Sequence, residues 1–125
     1  MLRTYRNLKV WRKSFKLCLN VYRVTSSFPA EERFGLTAQI RRATVSVPSN
    51  IAEGYARETT RDYVRHLWIA RGSLAEVETQ LMLSRELDVA DRADLEALLT
   101  DVAEVERMLS ALIRSLKEKG SDRRG

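Results

Sequence analysis

Apolar residues recur at three- and four-residue steps along nearly the whole chain, the spacing that lines one face of an α-helix. The clearest case is Leu95, Leu98, Val102, Val105, Leu109, Leu112 and Leu116, a seven-residue repeat thickened by Leu99, Met108 and Ile113. Such a repeat marks left-handed helix packing, as in coiled coils and four-helix bundles. Asp91 or its neighbours start this last helix, which the pattern ends near Lys119. Before it, Leu67, Ala70, Leu74, Val77, Leu81 and Ser84 predict a helix capped by Thr59 or Thr60 and reaching Asp88. Gly72 and Ser73 are small and would let a neighbouring helix come close on it. The first helix is predicted over 7–26, with Leu8, Trp11, Phe15, Cys18, Leu19 and Tyr22 as one apolar stripe. Val10, Leu17, Val21 and Val24 widen that stripe, so this helix is expected to touch more than one neighbour. Phe28-Pro29-Ala30 closes it, because the residue before a proline avoids helical geometry.

The second helix, predicted over 36–56, carries a proline inside its apolar pattern. Ile40, Ala43, Val47, Ile51 and Ala52 share one face, and Pro48 falls among them. A proline there removes a backbone donor and clashes with the preceding turn, at a cost of roughly 3 kcal/mol. The chain tolerates it if neighbours fix the bend or if a new helical segment starts there. Ser49 and Asn50 can cap a fresh turn, and Gly54 can end the segment in a left-handed conformation. Asn50 and Glu53 stand three apart just past the bend, placed to meet the backbone groups it frees. Together Pro48, Asn50, Glu53 and Gly54 read as a structural motif rather than a catalytic one.

Four helices with short connections predict an all-α, antiparallel up-down-up-down four-helix bundle. The domain is expected to span 1–119, with 120–125 (GSDRRG) as a disordered basic tail. The composition fits: 125 residues, 44% hydrophobic and 31% charged, make one helical domain with its own core. No apolar run approaches the length needed to span a bilayer, and the basic N-terminus lacks the apolar core of a secretion signal. A single cysteine, Cys18, excludes an internal disulfide framework and fits a reducing cytoplasm. A cytoplasmic protein is therefore expected.

Net charge is +5, but it is divided unevenly, +9 over 1–75 and −4 over 76–125. The basic part can meet a polyanion, or the two parts can attract each other between subunits. Lys9, Arg12, Lys13, Lys16 and Arg23 gather on one face of the first helix with no acid between them. Arg57, Arg61 and Arg65 stack at four-residue steps where the third helix opens, and Arg41 and Arg42 precede the bend. Arginine's planar fork binds two phosphate oxygens at once, so these ten cations are the candidate nucleic-acid contacts. The competing account is a solvated face or an intersubunit ion-pair network. No aromatic interleaves them in a way that suggests base stacking, since Trp68 and Tyr63 read as core or interface. Backbone contact without sequence reading is the expectation.

Enzymatic chemistry finds no footing. No carboxylate has a partner acid, base or metal at useful spacing. The sole histidine, His66, lacks companions for a metal site and is expected at the surface or in an interface. Phosphate-loop, Ser-His-Asp and dinucleotide patterns are absent. No catalytic residue, metal ligand or cofactor is assigned.

RRATVSVPSNIAEGYARET, followed at helical distance by ARGSLAEVETQLMLSRELD, resembles a bacterial four-helix-bundle family. That family is known from reading frames inside intervening sequences of large-subunit ribosomal RNA genes. The opening NLKVWRKSFKLCLNVY is similar to its first helix, with Trp11 in the expected place, and the resemblance covers roughly 7–117. It implies a small bundle that assembles into a ring, with a homopentamer as the expected state. A related branch implies accessory proteins of diversity-generating retroelements, basic pentamers that bind nucleic acid and cooperate with a reverse transcriptase. The acidic fourth helix departs from that branch's uniformly basic surface. The sequence thus predicts a self-associating, non-enzymatic protein that binds RNA or DNA through basic helix faces. The alternative is a protein-interaction scaffold whose charges serve self-assembly or a protein partner.

Overall fold

The hydrophobic pattern folds into four helices: α1 (Lys9–Thr25), α2 (Leu36–Tyr55), α3 (Thr60–Glu86) and α4 (Arg92–Arg124). Short 3-10 turns stand at Tyr5–Asn7 and Ala30–Glu32. The computed structural model describes residues 4–124, with side chains as far as residue 119. Cap chemistry sets the boundaries. The Thr59 hydroxyl accepts from the Asp62 N–H at 3.1 Å, and the Asp91 carboxylate accepts from the Asp94 N–H at 3.1 Å. Asp88 ends α3 with φ 54°, and the Val89 and Asp88 N–H groups bond back to Ser84 and Arg85. α4 runs past Lys119, where the pattern ended it; the side chains of the expected disordered tail lie outside the described residues.

Each helix packs on the next and α1 closes on α4, while the diagonal pairs stay apart among the described residues. Pairs across each seam run in opposite order. Cys18 meets Thr44 and Thr25 meets Arg41; Ser46 meets Ser73 and Asn50 meets His66; Arg71 meets Glu106 and Arg85 meets Glu96. Neighbours are therefore antiparallel, and the expected four-helix bundle is the fold observed. Its core holds Leu17, Val21, Ile40, Ile51, Leu74 and Leu109 among others, all fully buried. Burying each such side chain is worth on the order of 1.5–3 kcal/mol.

The helix-three stripe is buried as read, from Leu67 to Ser84. Along α4 the seam is buried from Leu95 to Leu109, beyond which Ile113 is buried and Leu112 and Leu116 are half-buried. In α1 the order of the two stripes reverses. Val10, Leu17, Val21 and Val24 form the core row, whereas Phe15, Leu19 and Tyr22 are exposed. The core row has a polar member: Ser14 occupies its middle, fully buried, with its hydroxyl donated to the Trp11 carbonyl at 2.9 Å. A polar residue interrupted an apolar pattern that packing continues. Gly72 is exposed with open space around it, so it admits no neighbouring helix here.

Candidate nucleic-acid interface

The proline-bearing helix is continuous, so the restart expected at Ser49 and Asn50 does not occur. Pro48 is buried mid-helix and cannot donate to the Thr44 carbonyl four residues back. Cys18 of α1 supplies the missing donor: its Sγ lies 3.0 Å from that carbonyl, and the Thr44 hydroxyl bonds Sγ in return at 3.6 Å. Burial pushes the Cys18 thiol up, which keeps the proton that makes this bond. The neighbouring helix thus compensates the hydrogen bond that the proline removes.

Gly54 also differs from expectation. It lies within α2 without positive φ, so it is no left-handed terminator. A Cβ there would stand 2.7 Å from the His66 Cβ and 3.1 Å from the Tyr63 carbonyl. The residue is glycine because α3 crosses at that point. His66 is consequently 5% exposed, buried between helices of one molecule where the sequence placed it at the surface or in an interface. Arg57 Nε donates to its Nε2 at 3.2 Å, so the proton of the neutral ring sits on Nδ1, which donates to Asn50 Oδ1 at 3.2 Å. Asn50 Nδ2 in turn donates to the Ser46 carbonyl at 2.8 Å, and Glu53 bonds Arg57 at 3.3 Å. Ser46 and Ser73 share a hydroxyl contact at 2.8 Å. Asn50, Glu53 and Gly54 stand with His66 at the α2–α3 seam, a member that pattern reading missed, whereas Pro48 lies against α1, and the carbonyl it frees is met by Cys18 and not by Asn50 or Glu53 as expected. Both ring nitrogens are engaged and neither is presented to a substrate.

The ten candidate cations divide in two. Lys13 bridges Asp101 at 3.4 Å and Glu104 at 3.2 Å on α4, and the Glu104 hydrogen bond, helped by Asp101, raises its pKa. Arg12 donates to the Arg6 and Asn7 carbonyls at 3.1 and 3.0 Å, tying down the turn before α1. Arg41 donates to Thr25 Oγ1 at 2.9 Å and lies 4.6 Å over the Tyr22 ring. Arg57 belongs to the His66 brace, and Arg23 reaches Asn20 at 3.4 Å. The first four hold elements of the fold together, while Arg23 is exposed and reaches only its own helix. The acidic part of the chain neutralises the basic part partly within one molecule, through Lys13 with Asp101 and Glu104 and through Arg71–Glu106.

Lys9, Lys16, Arg42, Arg61 and Arg65 are exposed and have no ion pair among the described residues. Arg42 lines a cleft of about 230 Å³ between α2 and α3, where Glu76 and Gln80 stand with it. Lys9 and Lys16 lie on α1, Arg61 and Arg65 on α3, at diagonal corners of the bundle.

A second feature escaped the sequence. Trp68, read as core or interface, is 44% exposed and lies one and two turns beyond Arg65 and Arg61 on the same face of α3. It borders an open groove of about 590 Å³ between α3 and the C-terminal half of α4, with Arg71, Arg114 and Lys117. The Arg71 guanidinium stands 5.1 Å and the Lys117 ammonium 5.3 Å from its ring centroid. Only the fold brings the α4 cations to this tryptophan. Tyr63, by contrast, packs against the core and edge-on to Tyr55 at 5.9 Å. Among the described residues no three His, Cys, Asp or Glu side chains group to hold a metal, and no helix is long and apolar enough to cross a membrane.

Comparison with known proteins follows the fold. A crystal structure of a protein of unknown function from the S23 ribosomal protein family of Bacteroides thetaiotaomicron superposes with a TM-score of 0.75. The two chains are 24% identical, over 83% of this chain and 97% of that one, a likeness that shows the shared fold. No curated protein matches the sequence. A family model described as 23S rRNA-intervening sequence protein matches residues 6–111. That match takes in α1 to α3 and most of α4, and the chain belongs to the 23S rRNA-intervening sequence protein family.

Proposed function

We propose that this chain is a non-enzymatic, self-associating accessory protein that holds nucleic acid by its phosphates, without reading sequence. The observation that carries the proposal is the pair Arg61 and Arg65, four residues apart on α3, exposed and unmatched by any acid among the described residues. Cations stacked at this spacing repel one another by several tenths of a kcal/mol. A polyphosphate turns that repulsion into attraction and releases counterions. Lys9 and Lys16 add a second patch at the diagonal corner, so one molecule offers two phosphate contacts. Self-association, as the pentamer that the resemblance leads one to expect, multiplies weak patches along one polyanion. RNA or DNA is the partner class, with a reverse transcriptase or another protein as a possible companion in the family's retroelement-like branch; a membrane is not.

A second reading, a protein-interaction scaffold, draws on a different face. Phe15, Leu19 and Tyr22 stay exposed on α1, and Val45 of α2 shares a groove with Phe15 and Trp11. Such a face suits a second copy of the chain or a protein partner. One experiment separates the readings: labelled structured RNA, single-stranded RNA and duplex DNA are titrated across a salt series, with the protein's mass recorded in the same buffer. Micromolar binding that weakens steeply with salt is expected. An intact oligomer that binds none of the three at low salt leaves only the scaffold.

A further inference from the structure

We infer that the groove beside Trp68 is a stacking site for an unpaired base, so that the nucleic acid held by this protein is single-stranded. The inference rests on the phosphate-binding reading and narrows it. An exposed indole at the end of a row of arginines is what a single strand needs and a duplex does not, because only unpaired bases offer a free face for stacking. Arg61, Arg65 and Trp68 follow one another along α3 over about 10 Å at the helical rise, so a strand whose phosphates meet the arginines reaches the ring.

The groove suits the rest of the nucleotide. Its volume of about 590 Å³ is of small-ligand size, and it opens to solvent between two helices. Buried Ile113 lies on its α4 wall, and Arg114 and Lys117 stand on the same wall as phosphate contacts, with Glu118 the one acid lining it among the described residues. Arg71 is held in place: its Nε donates to Glu106 at 2.9 Å, and the Ser110 hydroxyl bonds the same carboxylate oxygen at 2.9 Å. That anchored guanidinium lies 5.1 Å from the indole centroid, whereas Lys117, at 5.3 Å, is exposed and pairs with no acid among the described residues. A base entering the groove meets the ring where Lys117 now rests, and the displaced ammonium remains within reach of the flanking phosphate.

The test uses the full chain with labelled oligouridine, oligothymidine and a duplex of equal length, comparing wild type with Trp68→Ala, Trp68→Phe and Arg61→Gln/Arg65→Gln. Thermal melting checks that each variant is folded. Wild type is expected to prefer the single strands. Trp68→Ala should weaken single-strand binding by about tenfold or more, leave duplex binding unchanged, and be largely rescued by Trp68→Phe. Single-strand affinity unchanged in folded Trp68→Ala, or equal losses for strand and duplex, overturns the stacking site. The phosphate reading survives that result if Arg61→Gln/Arg65→Gln still loses binding. Absence of wild-type binding to any probe at low salt overturns both.

Discussion

At Gly54 a single hydrogen atom in place of a methyl group decides how closely α2 and α3 approach. Gly54→Ala puts a Cβ 2.7 Å from that of His66 and 3.1 Å from a backbone carbonyl, neither of which is a flexible chain end. We expect a loss of about 1–3 kcal/mol, read as a lower urea midpoint; an unchanged midpoint contradicts the close crossing. Two weakly acidic groups, the buried Cys18 thiol and the half-buried Tyr63 phenol, give a second residue-scale prediction. Burial, with Tyr55 beside it, pushes the Tyr63 phenol up to about 12, and burial raises the Cys18 thiol. Both groups hold their protons more tightly when folded. Stability is therefore full below their unfolded values, about 8.5 for cysteine and about 10 for tyrosine, and falls as pH rises through the folded values. Urea midpoints should decline from about pH 9 towards 12, with Tyr63→Phe removing the upper part of the decline. A decline of the same depth in Tyr63→Phe argues against the tyrosine's share. Asn50, Glu53 and Gly54 were legible as a structural cluster from spacing about Pro48 alone. His66 was not, because its partners come from another helix and a lone histidine carries no pattern.

Within the second helix, the fate of the proline is settled by its neighbour. Cys18 donates to the Thr44 carbonyl that Pro48 leaves without a backbone partner. Cys18→Ala should cost about 1–3 kcal/mol by leaving that acceptor unmatched. In a Pro48→Ala background the restored N–H takes the carbonyl, so the same change should cost less. The double-mutant cycle should show a coupling of about 1 kcal/mol; additive losses contradict the compensation. Periodicity located all four helices because each buries one continuous stripe. It misranked the stripes of α1, where Ser14 of the core row satisfies its own hydroxyl locally and packs as if apolar. Period measures apolar character, whereas the bundle selects for size and shape.

Across the whole molecule, charge asymmetry in the sequence has two uses that composition could not separate. Part of it stitches the helices together, as Lys13 does to Asp101 and Glu104, and that part was invisible until α1 was placed beside α4. Replacing Arg12 and Lys13 would consequently disturb the fold as well as the charge. Phe15, Leu19 and Tyr22 are exposed on α1, and the self-association we propose would draw on this face. Leu19→Lys should lower the mass in solution to that of a monomer without lowering the melting temperature; an undiminished oligomer places the contact elsewhere. The central claim concerns the cations that the fold leaves over, Arg61 and Arg65, and the most direct measurement is the salt slope of nucleic-acid affinity in Arg61→Gln/Arg65→Gln against wild type. We predict weaker binding at every salt concentration and a slope shallower by about 1.4 on a single strand, or about 1.8 on duplex, for each subunit bound. A slope and affinity equal to wild type would show that the phosphates are held elsewhere, or not by this face at all.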